Sequence, residues 1–364
     1  MFDFEGHRLT LGKKSSSIPI VQGGMGVGVS MANLASAVAN QGGVGVLSAA
    51  GIAMLRKPAE KDREKAIFEG LSEEIANARA KMTNSNGLLG INIMNVMTDF
   101  AQMVKVSAEA GVDVIFSGAG LPLDLPKFAS AETALVPIVS SAKAVKMISR
   151  WWEQKYARIP DAFVLEGPKA GGHLGFPAEQ IDDPAYQLES LIPQIRKELD
   201  NLSQKVGKHI PLIAGGGVFS GGDIRRTLSL GADAVQMATR FVATEECDAD
   251  EQFKMAYVNC KEEDITIIKS PVGMPGRAIK NSFTERAKAG CTTPNACPWH
   301  CISSCKPEQS PYCISAALLA ACKGKLEHGF AFIGANGYRI NEITTVAQLI
   351  KSLHQEFILA KEDA

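Results

Sequence analysis

IPLIAGGGVFSGGDIRRTLSLGADAVQMATRF, residues 210–241, reads as a strand, a helix and a second strand. The runs IPLIAGGG (210–217) and ADAVQMAT (232–239) are apolar without polar alternation, as expected of parallel strands covered on both faces. Between them the spacing predicts a helix over 221–230, with Ser220 as its cap. Working outward, the same kind of run recurs as IPIVQGGM (18–25), GGVGVLSA (42–49), LLGINIM (88–94), VDVIFSGA (112–119), ALVPIVSS (134–141) and DAFVLEGP (161–168). Helices are expected over 30–40, 70–82, 98–110, 142–155 and 184–202. Eight such units close a TIM (β/α)₈ barrel, with a doubly wound open sheet as the competing arrangement.

Composition agrees with one large α/β unit. The 364 residues are 46% hydrophobic and carry a formal net charge of −1, which disfavours wholesale binding to nucleic acid or anionic membrane. No apolar run is long enough to span a bilayer, and MFDFEGHRLTLGKK lacks the apolar core of a secretory signal. A cytoplasmic setting is expected, and with it reduced cysteines.

The strand ends carry the chemistry. Gln22-Gly23-Gly24, Asn92, Ser117-Gly118, Ser140-Ser141, Glu166-Gly167, Gly215-Gly216-Gly217 and Gln236 with Thr239 all fall where strands stop, which on a barrel is the catalytic rim. Glycine-rich turns after the last two strands let backbone N–H groups approach a phosphate, although tight βα turns would use the same residues. After the sixth strand comes EGPKAGGHLG, which sets His173 on a glycine turn at the rim. A neutral imidazole there can take a proton from an activated carbon acid; capping the loop is the simpler role.

Residues 245–330 break the pattern and read as an insertion or lid over a barrel formed by 1–244 and 331–364. EECDADEQFKMAYVNCKEED (245–264) reads as helix and IIKSPVGMPGRAIKN (267–281) as a Pro/Gly-rich loop. Then Cys297, Cys301, Cys305 and Cys313 form C-x₃-C-x₃-C-x₇-C. Four thiolates can hold a [4Fe–4S] cube or a tetrahedral zinc; the spacing is wider than the usual zinc knuckle, so iron–sulfur is the expectation, with zinc or no metal left open. Cys291 and Cys322 are spare ligands, and Cys247 and Cys260 are buried apolar thiols. A closing helix is expected in ITTVAQLIKSLHQEF, capped at Thr344 or Thr345.

IPIVQGGMG, GPKAGGHLG, IAGGG and GADAVQMATRF, in this order, resemble the nitronate monooxygenase/2-nitropropane dioxygenase superfamily, which includes FMN-dependent enoyl-ACP reductases. The resemblance covers nearly the whole chain. It implies FMN held by Gly23, Gly24, Met25, Asn92, Gly172, Gly216, Gly217, Gln236, Met237, Ala238 and Thr239, with Glu166 beside the flavin and His173 as catalytic base. Glu166 stands where nitronate monooxygenases usually carry Gln, and Lys169 where they usually carry Glu. The Cys-rich insertion and the ending GANGYRINEITTVAQLIKSL resemble a narrower branch, the flavin plus iron–sulfur decanoyl-ACP dehydrogenase/isomerases of unsaturated fatty acid synthesis. That implies a medium-chain acyl-ACP substrate. Nitronate oxidation with O₂, NAD(P)H-dependent enoyl-ACP or quinone reduction, and a non-catalytic electron-transfer module are the alternatives. A homodimer and an acidic carrier protein are the expected partners; Lys143, Lys146, Arg150, Lys155 and Arg158 are candidates for docking the carrier, although a basic run of this kind is usually a solvated helix face.

Overall fold

The computed structural model describes residues 2–56, 62–294, 297 and 299–360. Eight parallel strands form a closed barrel: β1 (Ile20–Gln22), β2 (Val44–Ser48), β3 (Leu88–Asn92), β4 (Val114–Ser117), β5 (Ala134–Val139), β6 (Phe163–Glu166), β7 (Leu212–Gly215) and β8 (Ala234–Met237). Closure is by β8 against β1, with Val235 opposite Ile20 and Met237 opposite Gln22. Each strand lies within its apolar run, and the open-sheet alternative falls with the closure.

Val21, Val46, Val114, Phe116, Val136, Val164 and Ile213 fill the barrel interior. Leu9 and Leu11, from a hairpin of Leu9–Leu11 and Lys14–Ser16 that precedes the barrel, join the same cluster. They stop the N-terminal mouth, so the interior opens only toward the strands' C-terminal ends. Its strands are only three residues long, too short for an apolar pattern to mark them in the sequence.

Helices Ala32–Asn40, Arg63–Lys81, Phe100–Glu109, Ala142–Tyr156, Leu188–Val206, Gly221–Ser229 and Val346–Leu359 surround the strands. Ser220 caps Gly221–Ser229 through a reciprocal box with Asp223, and Thr345 caps the closing helix in the same way with Gln348. One βα unit is incomplete. Between β4 and β5 there is only a 3₁₀ turn, Leu125–Lys127, because Pro122 and Pro126 remove backbone donors that a helix would need.

Residues 245–330 depart from expectation in two places. The helix expected over 245–264 shrinks to Glu251–Val258, with Asp250 as its cap. The expected loop 267–281 is instead a hairpin, Ile265–Lys269 with Pro275–Ile279, turning at Gly273 with φ +83°. Its β-branched run ITIIK favours extended backbone more than the neighbouring Pro and Gly oppose it. The hairpin adds a third strand, Gly172–His173, placing Gly276 opposite His173 and Arg277 opposite Gly172. The Cys-rich stretch lies on the loop after β3: Ser303 donates to the Val96 carbonyl, and Met97 bridges Ile302. Of the barrel's expected terminal part, 361–364 lie outside the described residues.

Candidate active site

The open end of the barrel holds a cavity of about 430 Å³. Gly23, Gly24, Met25, Asn92, Glu166, Gly172, His173, Gln236, Ala238 and Thr239, all singled out from the sequence, line it. Gly216, Gly217 and Met237 do not. Met237 is 2% exposed and packs outward against the helices, since alternate residues of β8 face opposite sides. Gly216 and Gly217 adopt φ +96° and +105°, and a Cβ on Gly216 would stand 2.6 Å from the Gly167 carbonyl oxygen. Glycine at 216 is therefore required by the neighbouring strand end, whatever binds nearby.

The lining fits a flat, amide-bearing ring. Among the described residues the Asn92 side-chain oxygen is buried without a hydrogen-bond partner, although the side chain borders the cavity. A Cβ on Gly172 would meet only open space, so its backbone presents directly to the void. Gly24 is fixed from the other side, because a Cβ there would lie 2.5 Å from that of Asn92. Isoalloxazine carries both donors and acceptors along one edge, and Asn92 and Gln236 can pair with it. The FMN expected from the sequence thus finds suitable residues for its ring.

Glu166 ends β6 and points into the same cavity. Among the described residues it has no ion-pair or hydrogen-bond partner, and burial pushes its pKa up to about 7. Close to neutrality it is therefore partly a neutral acid that can donate, as the usual Gln could.

His173 is placed by the hairpin. Arg277, 6% exposed, donates through Nη1 to the carbonyls of Pro168 at 2.6 Å and Ala170 at 2.8 Å, which holds the glycine turn. The ring of Phe332 packs edge-on at 5.0 Å from the His173 ring. Its Nε2 is 2.7 Å from Ser270 Oγ in the hairpin turn. Burial pushes the imidazole pKa down to about 4, so the ring is neutral at pH 7. Apolar surfaces of Met94, Ile138, Val139, Val242, Phe253, Met274, Leu318 and Phe332 complete the cavity, along with Tyr257, which donates to the Phe332 carbonyl. Ser270, Arg277, Tyr257 and Phe332 were not found from the sequence. Ser270, Arg277 and Tyr257 lie in the segment read as an insertion or lid, and Phe332 just beyond it in the part assigned to the barrel.

The four cysteines gather without closing. Cys301 and Cys313 each feel the charge of Cys297, and Cys313 also that of Cys305. Cys301 Sγ lies 3.0 Å from Ser315 Oγ, and the His300 N–H donates to Cys297 Sγ at 3.3 Å. Yet among the described residues no group of three or more His, Cys, Asp or Glu is arranged to hold a metal ion. The expected ligand set is thus brought to one place but not into coordinating geometry. Of the spare ligands, Cys322 is buried against Gly28 and Cys291 is exposed. Cys247 and Cys260 are buried, and desolvation raises their thiols to about 12 and about 11.

The basic side chains proposed for a carrier are largely paired: Lys146 with Glu198, Lys155 with Asp124, and Arg158 with Asp161. Among the described residues no helix is long and apolar enough to cross a membrane.

The pattern that defines the nitronate monooxygenase family matches residues 9–356. A (3aS,4S,5R,7aS)-5-hydroxy-7a-methyl-1-oxo-octahydro-1H-indene-4-carboxyl-CoA dehydrogenase of Mycobacterium tuberculosis is 27% identical over 273 residues, covering 75% of this chain and 66% of that protein. A probable nitronate monooxygenase of Staphylococcus aureus is 38% identical over 128 residues, 34% of this chain and 33% of that one. The chain thus spans from a third to just under two-thirds of the length of these curated relatives. Among solved structures, FabK from Thermotoga maritima superposes with a TM-score of 0.73 at 27% identity, covering 96% of this chain and 95% of its own. A nitroalkane oxidase from Streptomyces ansochromogenes shares the fold, with a TM-score of 0.70 at 23% identity over 96% of this chain and 98% of that one.

Proposed function

Since the chain belongs to the nitronate monooxygenase family, we propose that it is an FMN-dependent oxidoreductase that dehydrogenates an acyl thioester. In the narrower form of the proposal the substrate is a medium-chain acyl-ACP of unsaturated fatty acid synthesis, whose new double bond is then shifted. The observation that carries this reading is His173, a neutral imidazole at the edge of a largely apolar cavity. A thioester carbonyl makes the C2 hydrogen acidic enough for such a base, and the apolar lining suits an acyl chain. His173 takes the C2 proton while the C3 hydrogen departs with its electron pair. Bound FMN supplies the acceptor for that hydride. To move the double bond, His173, once it has released that proton to solvent, takes a proton from C4 and returns it to C2, with no net oxidation. The carboxyl-CoA named for the M. tuberculosis relative is itself an acyl thioester, which supports the substrate class.

Nitronate oxidation is the second reading, favoured by the name of the S. aureus relative. Anaerobic mixing separates the two. Medium-chain acyl-ACP should bleach the flavin, and His173→Ala should slow that bleaching by roughly 10²–10⁴-fold while retaining flavin. Rapid oxidation of alkyl nitronates, with acyl thioesters ignored, would replace the first reading by the second.

An iron–sulfur cluster on Cys297, Cys301, Cys305 and Cys313 is a separable part of the proposal, supported by the gathering of the four thiols. Closing the ligand set then requires the segment to tighten on the metal. Anaerobically purified protein should contain about four iron and four sulfide per chain. One zinc without iron would make the site structural, and no metal would remove it.

A further inference from the structure

Residues 334–336 stitch the loops after β6, β7 and β8 into one surface. The Ala335 N–H donates to the Lys169 carbonyl at 3.0 Å, and Asn336 Nδ2 to the Gly217 carbonyl at 2.6 Å. The Gly334 N–H donates to Thr239 Oγ1 at 3.0 Å. Thr239 lines the cavity, so this surface continues the cavity's edge. Its donors are uncommitted. Among the described residues the N–H groups of Gly216, Gly217, Val218, Ala238 and Thr239 meet no acceptor. The Thr239 hydroxyl accepts from Gly334 and so keeps its own proton to give. Neighbouring donors of this kind suit an anion. The start of the helix Gly221–Ser229 is already taken, because Asp223 accepts from the Phe219 and Ser220 N–H groups and Glu356 from that of Gly221.

Neutral donors alone leave a phosphate monoester, with about two negative charges at pH 7, without a counter-charge. Three cations lie close by. Arg240 and Arg339 both stack on Phe219, at 4.5 and 4.4 Å from the ring centre. Arg240 also donates to the Phe219 carbonyl and lies near the carboxylates of Glu356 and Glu342. Lys169 is placed differently. Its stem crosses the face of Gly217, where a Cβ would stand 3.1 Å from the Lys169 Cβ and 3.3 Å from its Cδ. The ammonium, two bonds beyond Cδ, forms no ion pair among the described residues.

We propose that Lys169 pairs with the phosphate of bound FMN, so that this chain discriminates the mononucleotide from riboflavin by charge as well as by hydrogen bonding. The inference rests on the reading of the chain as FMN-dependent. It concerns the phosphate alone and is independent of the substrate oxidised.

The test titrates the full-length chain, freed of flavin by dialysis, with FMN and with riboflavin, and reads quenching of flavin fluorescence. Lys169→Met keeps the stem over Gly217 but removes the charge. It should weaken FMN roughly tenfold and leave riboflavin unchanged. Lys169→Glu, which reverses the charge, should weaken FMN roughly a hundredfold. Lys169→Arg should hold FMN within about twofold of wild type. Added salt should bring wild type and Lys169→Met together, because the ammonium is exposed. Unchanged FMN affinity in Lys169→Met would overturn the proposal. Equal losses for FMN and riboflavin would overturn it too, by showing that the stem only packs on Gly217. So would an Arg339→Met variant that loses more FMN affinity than Lys169→Met. Wild type that takes up neither flavin would overturn the FMN reading itself, and the proposal with it.

Discussion

Glu166 and His173 share one cavity, and burial moves their pKa values in opposite directions, because the void penalises whichever charged form each would adopt. For Glu166 the folded value, about 7, lies above the ordinary 4.5, so its contribution to stability is complete below pH 4.5 and is lost as pH rises through 7. For His173 the folded value, about 4, lies below the ordinary 6.5, so its contribution is complete above 6.5 and is lost as pH falls through 4. Between about pH 4.5 and 6.5 the two slopes oppose each other and nearly cancel. Single substitutions should expose them. In flavin-stripped protein, urea midpoints of Glu166→Gln should rise with pH from 4 to 6.5, whereas those of His173→Ala should fall from 4.5 to 7. Each excursion is at most roughly 3 kcal/mol. Flat profiles in both variants would mean that the cavity is well hydrated. The same lowered value sets the acid limb of flavin bleaching near pH 4, not 6.5, in stopped-flow traces.

At the scale of elements, two hairpins define the site from opposite ends. The N-terminal one works by volume. Leu11→Ala should cost about 2–5 kcal/mol in chemical unfolding while leaving flavin content unchanged, because the leucine belongs to the barrel floor and not the cavity. The hairpin of Ile265–Lys269 and Pro275–Ile279 works by register, setting Arg277 beside Gly172 and Gly276 beside His173. Arg277→Met leaves two buried carbonyls without their charged donor. It should destabilise by about 2–4 kcal/mol and raise amide exchange at Gly171–His173 above that of the β6 interior. Exchange unchanged at that turn would mean that the hairpin does not hold the base in place.

For the molecule as a whole, the open barrel end is where ligand binding and stability are linked. FMN at a hundredfold excess over its dissociation constant should add about 2.7 kcal/mol, read as a rise in thermal midpoint. Gly24→Val should abolish that rise with little change in the apo midpoint if the Asn92 side chain moves into the empty cavity. The apo protein should itself lose stability if the clash is taken up by the Val46 side and Leu47 carbonyl, which also lie against Gly24. The cysteine-bearing segment docks on the loop after β3, so metal content and thermal midpoint should change together in Cys305→Ser if a cluster is present.

The barrel was legible in the sequence because its physics is local. Buried parallel strands must be continuously apolar, and eight of them with intervening helices admit few closures. The rim residues followed from the same reasoning, since polar and glycine residues at strand ends have one place to go. What the tertiary structure decided depends on contacts between distant segments. Gly216 proved to answer to Gly167, and Met237 to face the helices. A run read as loop paired with Gly172 and His173 from about a hundred residues away, bringing Ser270 and Arg277 to a histidine with which they share no sequence pattern. The four cysteines could be recognised by spacing, but their spacing specifies only proximity. Coordination requires angles and distances, and these belong to the packed segment.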